Sequence, residues 1–180
     1  IEFDESFANY CLVDVAAIGF GKKENLIKNF IQEGDILILA GSLTGRDGIH
    51  GASFASKKLA EENRSAVQIP DPFMEKLLIE VTREAIQKDI LKAVKDLGGG
   101  GLSCCLSETS ANLNKGFDID LGKVPVKYNE MEPQEIMISE SQERMTLAIP
   151  KNKWKKFSQL MQNRGVEATV IGEFTDNRKC

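Results

Sequence analysis

The segment ILKAVKDLGGGGLSCCLSETS, residues 90–110, carries the clearest structural pattern in the chain. An apolar run around Ala93 and Val94 reaches an acidic residue, Asp96, and four consecutive glycines follow at 98–101. A segment of small and polar residues comes next. This order predicts a strand, a glycine turn and a helix.

A glycine turn before a helix offers a possible anion site. Glycine permits positive φ and close approach of another group, and the first helical turn presents unpaired N–H groups at the positive end of the helix dipole. Asp96, at the exit of the strand, is a candidate Mg²⁺ ligand, because Mg²⁺ is often held by one or two carboxylates with waters and phosphate oxygens. A plain turn beside an exposed aspartate explains the same residues equally well. The candidate phosphate-binding residues are Gly98, Gly99, Gly100 and Gly101.

The composition is that of a globular protein, with 180 residues, 42% hydrophobic residues, 28% charged residues and a net charge of −4. Lysines and arginines are scattered without interleaved aromatics, which argues against a nucleic-acid surface. No apolar run approaches the roughly 20 residues of a membrane span, and no signal-peptide pattern opens the sequence. We therefore predict a cytoplasmic protein without nucleic-acid or membrane partners.

The cysteines indicate neither a structural disulfide nor a zinc site. None of the four has CxxC spacing, and the adjacent pair at 104 and 105 is poorly placed for a bridge. Zinc sites need three or four cysteine or histidine ligands, and His50 is the only histidine. We expect reduced thiols at Cys11, Cys104, Cys105 and Cys180.

Apolar runs and helix signals outside the central segment predict an α+β fold. Asp71 is a good N-cap, followed by Pro72, for a helix that ends near Lys88. Alternating strands and helices suggest an α/β sandwich with a mixed β-sheet and flanking helices, partly like a ferredoxin-type split βαβ. The other predicted helices lie at 102–114, 133–138 and 151–164. The predicted strands lie at 9–19, 36–40, 117–121, 145–149 and 167–174.

Two further stretches are candidates for binding. The loop GSLTGRDGIHG at 41–51 is rich in glycine and carries Arg46, Asp47 and His50, so it is either a binding loop or a flexible surface loop. It is followed by an amphipathic segment at 52–63. Gln68 lies just before the Asp71 cap, where its amide could reach a ligand, although a glutamine in such a place is usually solvated.

Four motifs, in this order and spacing, resemble a known enzyme family. They are GRDGIHGASFAS (45–56), QIPDPFMEK (68–76), KDLGGGGLSCCLSE (95–108) and ESQER (140–144). Together they resemble the large synthetase subunits of phosphoribosylformylglycinamidine synthase, in the superfamily of aminoimidazole ribonucleotide synthetase. The resemblance covers nearly the whole chain. It implies one domain over residues 1–180, of the C-terminal type found in the first half of those subunits.

The resemblance implies an ATP-dependent carbon–nitrogen ligase of purine biosynthesis. Formylglycinamide ribonucleotide (FGAR), ATP and ammonia from glutamine would give the amidine, ADP and phosphate, with Mg²⁺ offsetting phosphate charge. It assigns Gln68 to the nucleotide substrate and Asp96 to Mg²⁺. It assigns the triplet Glu140, Ser141 and Gln142 to a substrate-binding loop. The implied partners are a glutaminase subunit and a small accessory subunit.

In the family, the catalytic histidine and most ATP-binding residues lie in an amino-terminal domain that precedes this one. The sequence begins Ile-Glu-Phe without methionine, so we expect a fragment that lacks that domain, contains no catalytic residue and is inactive alone. The chain also departs from the family pattern at Pro70, Gly99 and the Cys104–Cys105 pair. The cysteines put side-chain hydroxyl contacts at the glycine turn in doubt.

Three alternatives remain at the level of sequence. The chain could be a non-catalytic phosphate-binding module, or another synthetase of the superfamily, similar to aminoimidazole ribonucleotide synthetase. It could also be a cysteine-nucleophile enzyme, with Cys104 or Cys105 at a helix N-terminus and His50 as the base.

Overall fold

The computed structural model describes residues 4–7, 16–23, 26–27, 29–49 and 68–179. The strands are β1 (Ile36–Gly41), β2 (Ala93–Asp96), β3 (Gly116–Ile119), β4 (Arg144–Ile149) and β5 (Ala168–Thr175). The α-helices are α1 (Pro72–Gln87), α2 (Gly101–Leu113), α3 (Pro133–Ile138) and α4 (Trp154–Asn163). Short 3₁₀ segments lie at Glu5–Phe7, Leu121–Lys123 and Lys151–Lys153.

The five described strands form one sheet in the order β2-β4-β1-β5-β3. Every pairing between them is antiparallel; Ile38 of β1, for example, faces Leu147 of β4 on one side and Val170 of β5 on the other. The predicted α+β class is confirmed, but the described strands form an antiparallel sheet where the sequence predicted a mixed one. Alternating strands and helices usually indicate that consecutive strands are parallel neighbours in the sheet. Here the antiparallel strand β1 lies between the consecutive strands β4 and β5.

The predicted split βαβ unit is present. Strands β4 and β5 run parallel to each other, helix α4 connects them, and β1 lies between them and pairs with both. The crossover therefore leaves room for one antiparallel strand.

Helices cover both faces of the sheet, which confirms the α/β sandwich. Strand β1 is buried at every position, as the ILILA run predicted for a central strand, and its side chains alternate between two apolar clusters. One cluster joins β1 to α1 and α4, and includes Ile36, Ile38, Ala40, Leu78, Val81, Phe157 and Met161. The other joins β1 to α2 and α3, and includes Leu37, Leu39, Leu102, Leu106 and Ile136.

Local signals place the two helices next to the candidate site. The Oδ1 of Asp71 accepts a hydrogen bond from the N–H of Met74 at 3.0 Å, which confirms the predicted cap of α1. Helix α2 starts at Gly101, directly after a left-handed Gly100. The glycine turn thus connects β2 to α2 in the predicted order.

Several predictions fall outside the described residues. These are the segment at 52–63, His50, Cys11 and Cys180. Of the predicted strand at 9–19 only residues 16–19 are described, and they form no strand. None of the described helices has the length and apolarity that a membrane span requires.

Candidate functional site

The carboxylate of Glu140 joins two of the predicted site segments. Its Oε2 accepts a hydrogen bond from Nε2 of Gln68 at 2.8 Å, and its Oε1 accepts one from the backbone N–H of Gly100 at 3.0 Å. Glu140 is only 5% exposed. Residues separated by 72 and 40 positions therefore meet where the glycine turn leads into α2.

Glu140 lies in the loop between α3 and β4, against the glycine-rich loop that follows β1. Its backbone N–H donates to the carbonyl oxygen of Asp47 at 2.9 Å. Gly48 has φ +67°, and a Cβ added there would lie 2.5 Å from the Cβ of Glu140. Glycine at position 48 therefore permits the close approach of the two loops.

Ser141 is buried, and its hydroxyl is held from two sides. The N–H of Gly45 donates to Ser141 Oγ at 2.8 Å, and Ser141 Oγ donates to Oδ2 of Asp47 at 2.5 Å. Lys127 Nζ lies 2.6 Å from the same aspartate oxygen. Burial on its own raises the pKa of Asp47, but hydrogen bonds from Lys127 and Ser141 outweigh it and hold that pKa below its usual range. Asp47 is therefore ionised at neutral pH and accepts a hydrogen bond from the Ser141 hydroxyl.

Arg144, the first residue of β4, is 1% exposed and holds the loop on both sides of Glu140. Its guanidinium donates from Nε to the carbonyl of Ser141 at 2.8 Å and from Nη2 to the carbonyl of Ser139 at 2.6 Å. Nη1 donates to the hydroxyl of Thr44 at 2.9 Å. Burial lowers the pKa of Arg144 to about 10, so the guanidinium is still protonated at pH 7.

The sequence did not assign a role to Arg144, although it lies in the ESQER motif. The one available signal was an arginine at the start of the mostly apolar strand RMTLAI. Of the charged residues of the glycine-rich loop, Asp47 belongs to the site. Arg46 instead binds Glu135 through Nε at 2.7 Å and lies 5.6 Å from the ring centroid of Tyr128.

The two predicted glutamines are half-buried and each donates through its amide nitrogen to Glu140. Gln68 donates to the carboxylate, and Gln142 Nε2 donates to the backbone carbonyl at 2.9 Å. Neither Oε1 accepts a hydrogen bond from a residue in the described ranges. Within the described part of the chain, neither amide oxygen is therefore occupied by a hydrogen-bond donor.

Asp96 lies next to the glycine turn and is exposed. Its carboxylate forms no hydrogen bond or ion pair with the described residues, whereas the nearby Glu108 is paired with Lys95 at 2.9 Å. A polar cavity of about 130 Å³ is lined by Asp96, Glu108 and the first two glycines, Gly98 and Gly99, among others. The described part of the chain contains no group of three or more side chains that could together hold a metal. Asp96 thus offers a single carboxylate, with Lys95 lining the same cavity. This arrangement fits Mg²⁺ only if water and a phosphate supply the other ligands.

The two adjacent cysteines lie in the first turns of α2 and differ in environment. Cys104 is exposed, whereas Cys105 is buried and its Sγ lies 3.0 Å from Oγ1 of Thr146. Burial raises the pKa of Cys105 to about 11, although the hydrogen bond with Thr146 opposes the shift. A nucleophilic cysteine needs a lowered pKa, so Cys105 does not fit that role. The proposed base, His50, lies outside the described residues.

We expect alkylation to separate the two thiols. In a native chain at pH 8, iodoacetamide should modify Cys104 within minutes and leave Cys105 unmodified, because only about one thiol in a thousand is ionised when the pKa is three units above the pH. Mass spectrometry of the peptides measures the modified fractions, and the same reaction in urea provides the unfolded control. Equal modification of Cys105 before and after unfolding would contradict the burial of its thiol.

Residues 32–180 match the family described as AIR synthase related protein, C-terminal domain. The phosphoribosylformylglycinamidine synthase subunit PurL of Thermococcus sibiricus is 51% identical over 177 residues, which cover 96% of this chain and 25% of that protein. The chain therefore spans about a quarter of the length of this relative.

Solved structures of PurL from T. maritima share the fold. The complex with FGAR has a TM-score of 0.78 at 36% identity, over 86% of this chain and 26% of that chain. The complex with ATP (TM-score 0.73, 31% identity) and the assembly PurLQS (TM-score 0.74, 30% identity) each match over 86% of this chain and 24% of theirs. Because the family match extends over most of the chain and the described fold agrees with these structures, the chain belongs to the family of AIR synthase related proteins, with residues 32–180 as its C-terminal domain.

Proposed function

We propose that this chain is part of a PurL-type phosphoribosylformylglycinamidine synthase, an ATP-dependent ligase that converts FGAR to its amidine with ammonia from glutamine. The observation that carries the proposal is the meeting of Gln68, Glu140 and Gly100 at one end of the sheet. These residues come from three motifs that the resemblance joins into one substrate site. The T. maritima PurLQS assembly supports a glutaminase subunit and a small accessory subunit as partners.

In this proposal the chain supplies one wall of the FGAR site. Gln68 and Gln142 would contribute their amide oxygens, which accept no hydrogen bond from a described residue, while Ser141 and Glu140 belong to the same loop as Gln142. A cytoplasmic location and a single domain over residues 1–180 stay predictions.

The glycine turn would bind phosphate through its first two residues. The N–H of Gly100 already donates to Glu140, and the N–H of Gly101 donates to the carbonyl of Gly98 at 3.0 Å. The N–H groups of Gly98 and Gly99 have no hydrogen-bond partner in the described part of the chain. Both glycines are exposed next to Asp96. Of the four candidate glycines, these two are therefore the better phosphate donors.

Asp96 would hold Mg²⁺ beside that phosphate. The ion would offset the negative charge of the transferred phosphate group. Asp96 contributes one carboxylate that forms no ion pair with a described residue, which suits an ion that keeps most of its waters. ATP itself would be bound mostly by other parts of the enzyme.

A chimera tests the proposed function in the context of a whole enzyme. This chain would replace the matching quarter of T. sibiricus PurL, and amidine formation from FGAR, ATP and ammonium would be measured. We expect turnover within about tenfold of the parent enzyme, since one exchanged domain keeps the chemistry but perturbs positioning. We also expect no turnover from the isolated 180-residue chain, because the family resemblance places the catalytic histidine in another domain.

The outcomes of the chimera experiment separate the alternatives. A folded chimera that binds FGAR without turnover would support a non-catalytic phosphate-binding module. A chimera that turns over aminoimidazole ribonucleotide precursors instead would support the other branch of the superfamily. Loss of both binding and turnover in a folded chimera would contradict the proposal.

Asp96→Asn should weaken Mg²⁺-dependent binding of a nucleotide by about 10- to 100-fold, because it removes the carboxylate that is proposed to hold the ion. Calorimetric titration of the chimera with ADP, with and without Mg²⁺, measures this effect without turnover. Asp118→Asn is the matched control, since Asp118 is an exposed aspartate on β3 at the opposite edge of the sheet. An unchanged Mg²⁺ dependence in Asp96→Asn would rule out Asp96 as a ligand.

A further inference from the structure

We propose that Glu140 is a positioning residue that fixes the side-chain amide of Gln68 so that its oxygen, and not its nitrogen, faces the ligand. The proposal rests on the proposed function and deepens it, because it names the chemistry of the contact. The ligand group opposite Gln68 would be a hydrogen-bond donor, an N–H or an O–H. Glu140 would act through Gln68 and would not touch the ligand.

The direction of the amide follows from the chemistry of the pair. An ionised carboxylate accepts hydrogen bonds and donates none, so the amide group of Gln68 that contacts it at 2.8 Å must be the NH₂. The other oxygen of Glu140 is engaged by the N–H of Gly100. The opposite end of the planar Gln68 amide is then its oxygen, which has no partner in the described ranges.

The carboxylate is itself held in a rigid frame. Its backbone N–H binds the carbonyl of Asp47, and Arg144 binds the carbonyls of the two residues that flank it. Gly48 closes over its side chain with space for no Cβ. A side chain oriented before the ligand arrives loses less entropy on binding, so this frame would increase affinity as well as select the donor.

The same geometry explains why Glu140 makes a poor direct ligand. The side chain is 5% exposed, and both carboxylate oxygens are already hydrogen-bonded. An anionic group of the ligand would in addition be repelled by this carboxylate. The amide of Gln68, which is half-buried, places a neutral acceptor between the buried charge and the ligand.

Three variants of the chimera test the proposal. In Glu140→Gln, the new amide accepts from Gly100 and donates to Gln68, so the Gln68 amide turns and presents its NH₂. We expect a nearly unchanged free energy of unfolding. The affinity for FGAR should fall and KM should rise by on the order of tenfold, while kcat changes less. A role of Glu140 in stability alone would not produce this combination.

Gln68→Glu places two carboxylates face to face. This variant should lose stability at pH 7 and regain part of it near pH 5, as one carboxyl group becomes protonated. In the exchange Gln68→Glu with Glu140→Gln, the amide at 140 donates to the carboxylate at 68, whose second oxygen faces the ligand. The exchange keeps the total charge, and it should restore the urea midpoint. It should also bind FGAR more tightly than Glu140→Gln, because an acceptor again faces the ligand, but more weakly than wild type, because that acceptor now carries a negative charge.

The results distinguish failure of this inference from failure of the proposed function. If the unmodified chimera binds FGAR and the exchange binds it as weakly as Glu140→Gln, the inference is overturned while the function stands. Tight binding by Glu140→Gln overturns it as well. If the unmodified chimera does not bind FGAR, the function fails, and the side-chain NH₂ resonance of Gln68 then decides the inference. In NMR spectra of the ¹⁵N-labelled protein, the chemical shift of this resonance should differ between wild type and Glu140→Gln. An unchanged chemical shift would contradict the contact between Gln68 and Glu140 and overturn the inference.

Discussion

Replacing Arg144 with methionine should lower the free energy of unfolding by about 3–5 kcal/mol, because three buried acceptors would lose their donors together. Those acceptors are the carbonyls of Ser139 and Ser141 and the hydroxyl of Thr44. Methionine fills a similar volume, so the loss would reflect hydrogen bonds more than an empty cavity. Urea denaturation of the chain, monitored by circular dichroism, measures the change in the free energy of unfolding.

Arg164→Met is the matched control for the loss of an arginine. Its guanidinium is 43% exposed and binds Glu84 at 2.9 Å and Glu80 at 3.4 Å on the surface. Exposed pairs contribute less than about 1 kcal/mol. Arg144→Lys should lie between the two, because lysine keeps the charge but cannot donate in three fixed directions. Equal losses in Arg144→Met and Arg164→Met would show that the guanidinium does not hold the loop.

The start of each helix near the site could be predicted from local sequence. Asp71 followed by Pro72 predicts the N-terminus of α1, and the side chain of Asp71 caps that helix. The glycine run predicts the start of α2 to within one residue. Caps and glycine turns act over three or four residues, so a single sequence contains the information they need.

The directions of the strands could not be predicted in the same way. The ILILA run predicts that β1 is central and buried, and both features are confirmed. The choice of its neighbours depends on which strand fills the gap in the β4–α4–β5 crossover. That choice is made by contacts over more than 100 residues, such as Ile38 with Leu147 and Val170.

The site was predicted as a set of residues but not as a network. Gln68 and Glu140 have no local pattern that indicates a contact across 72 positions, and only the family resemblance placed them together. Arg144 was missed because its main partners are backbone carbonyls. Every residue has a backbone carbonyl, so the sequence does not indicate which carbonyls will accept hydrogen bonds from a buried arginine.

Gly101→Ala should also destabilise the fold by about 3–5 kcal/mol, the range of changes that force backbone to move. Gly101 has φ +55°, and a Cβ added there would overlap the carbonyl oxygen of Ser139 and lie 3.0 Å from that of Met137. Both atoms belong to the backbone and cannot turn aside as a side chain can. Because the Ser139 carbonyl is also held by Arg144, relief of the clash would displace the loop that carries Glu140. Urea denaturation measures the loss, and weaker FGAR binding by the chimera should accompany it.

Substitutions at two other glycines separate the contributions of backbone conformation and steric overlap to this loss of stability. Gly165→Ala tests the backbone conformation alone, since Gly165 has φ +69° with open space at its Cβ, and it should cost about 1–2 kcal/mol. Gly98→Ala tests the glycine run itself, since nothing lies within 4 Å of its Cβ, and it should change stability by less than about 0.5 kcal/mol. If Gly101→Ala lowers the free energy of unfolding no more than Gly165→Ala does, α2 does not pack closely against the Glu140 loop. A larger loss at 101 alone would show that one glycine of the run is required by the packing of α2 against the Glu140 loop, whereas Gly98 is not required for stability.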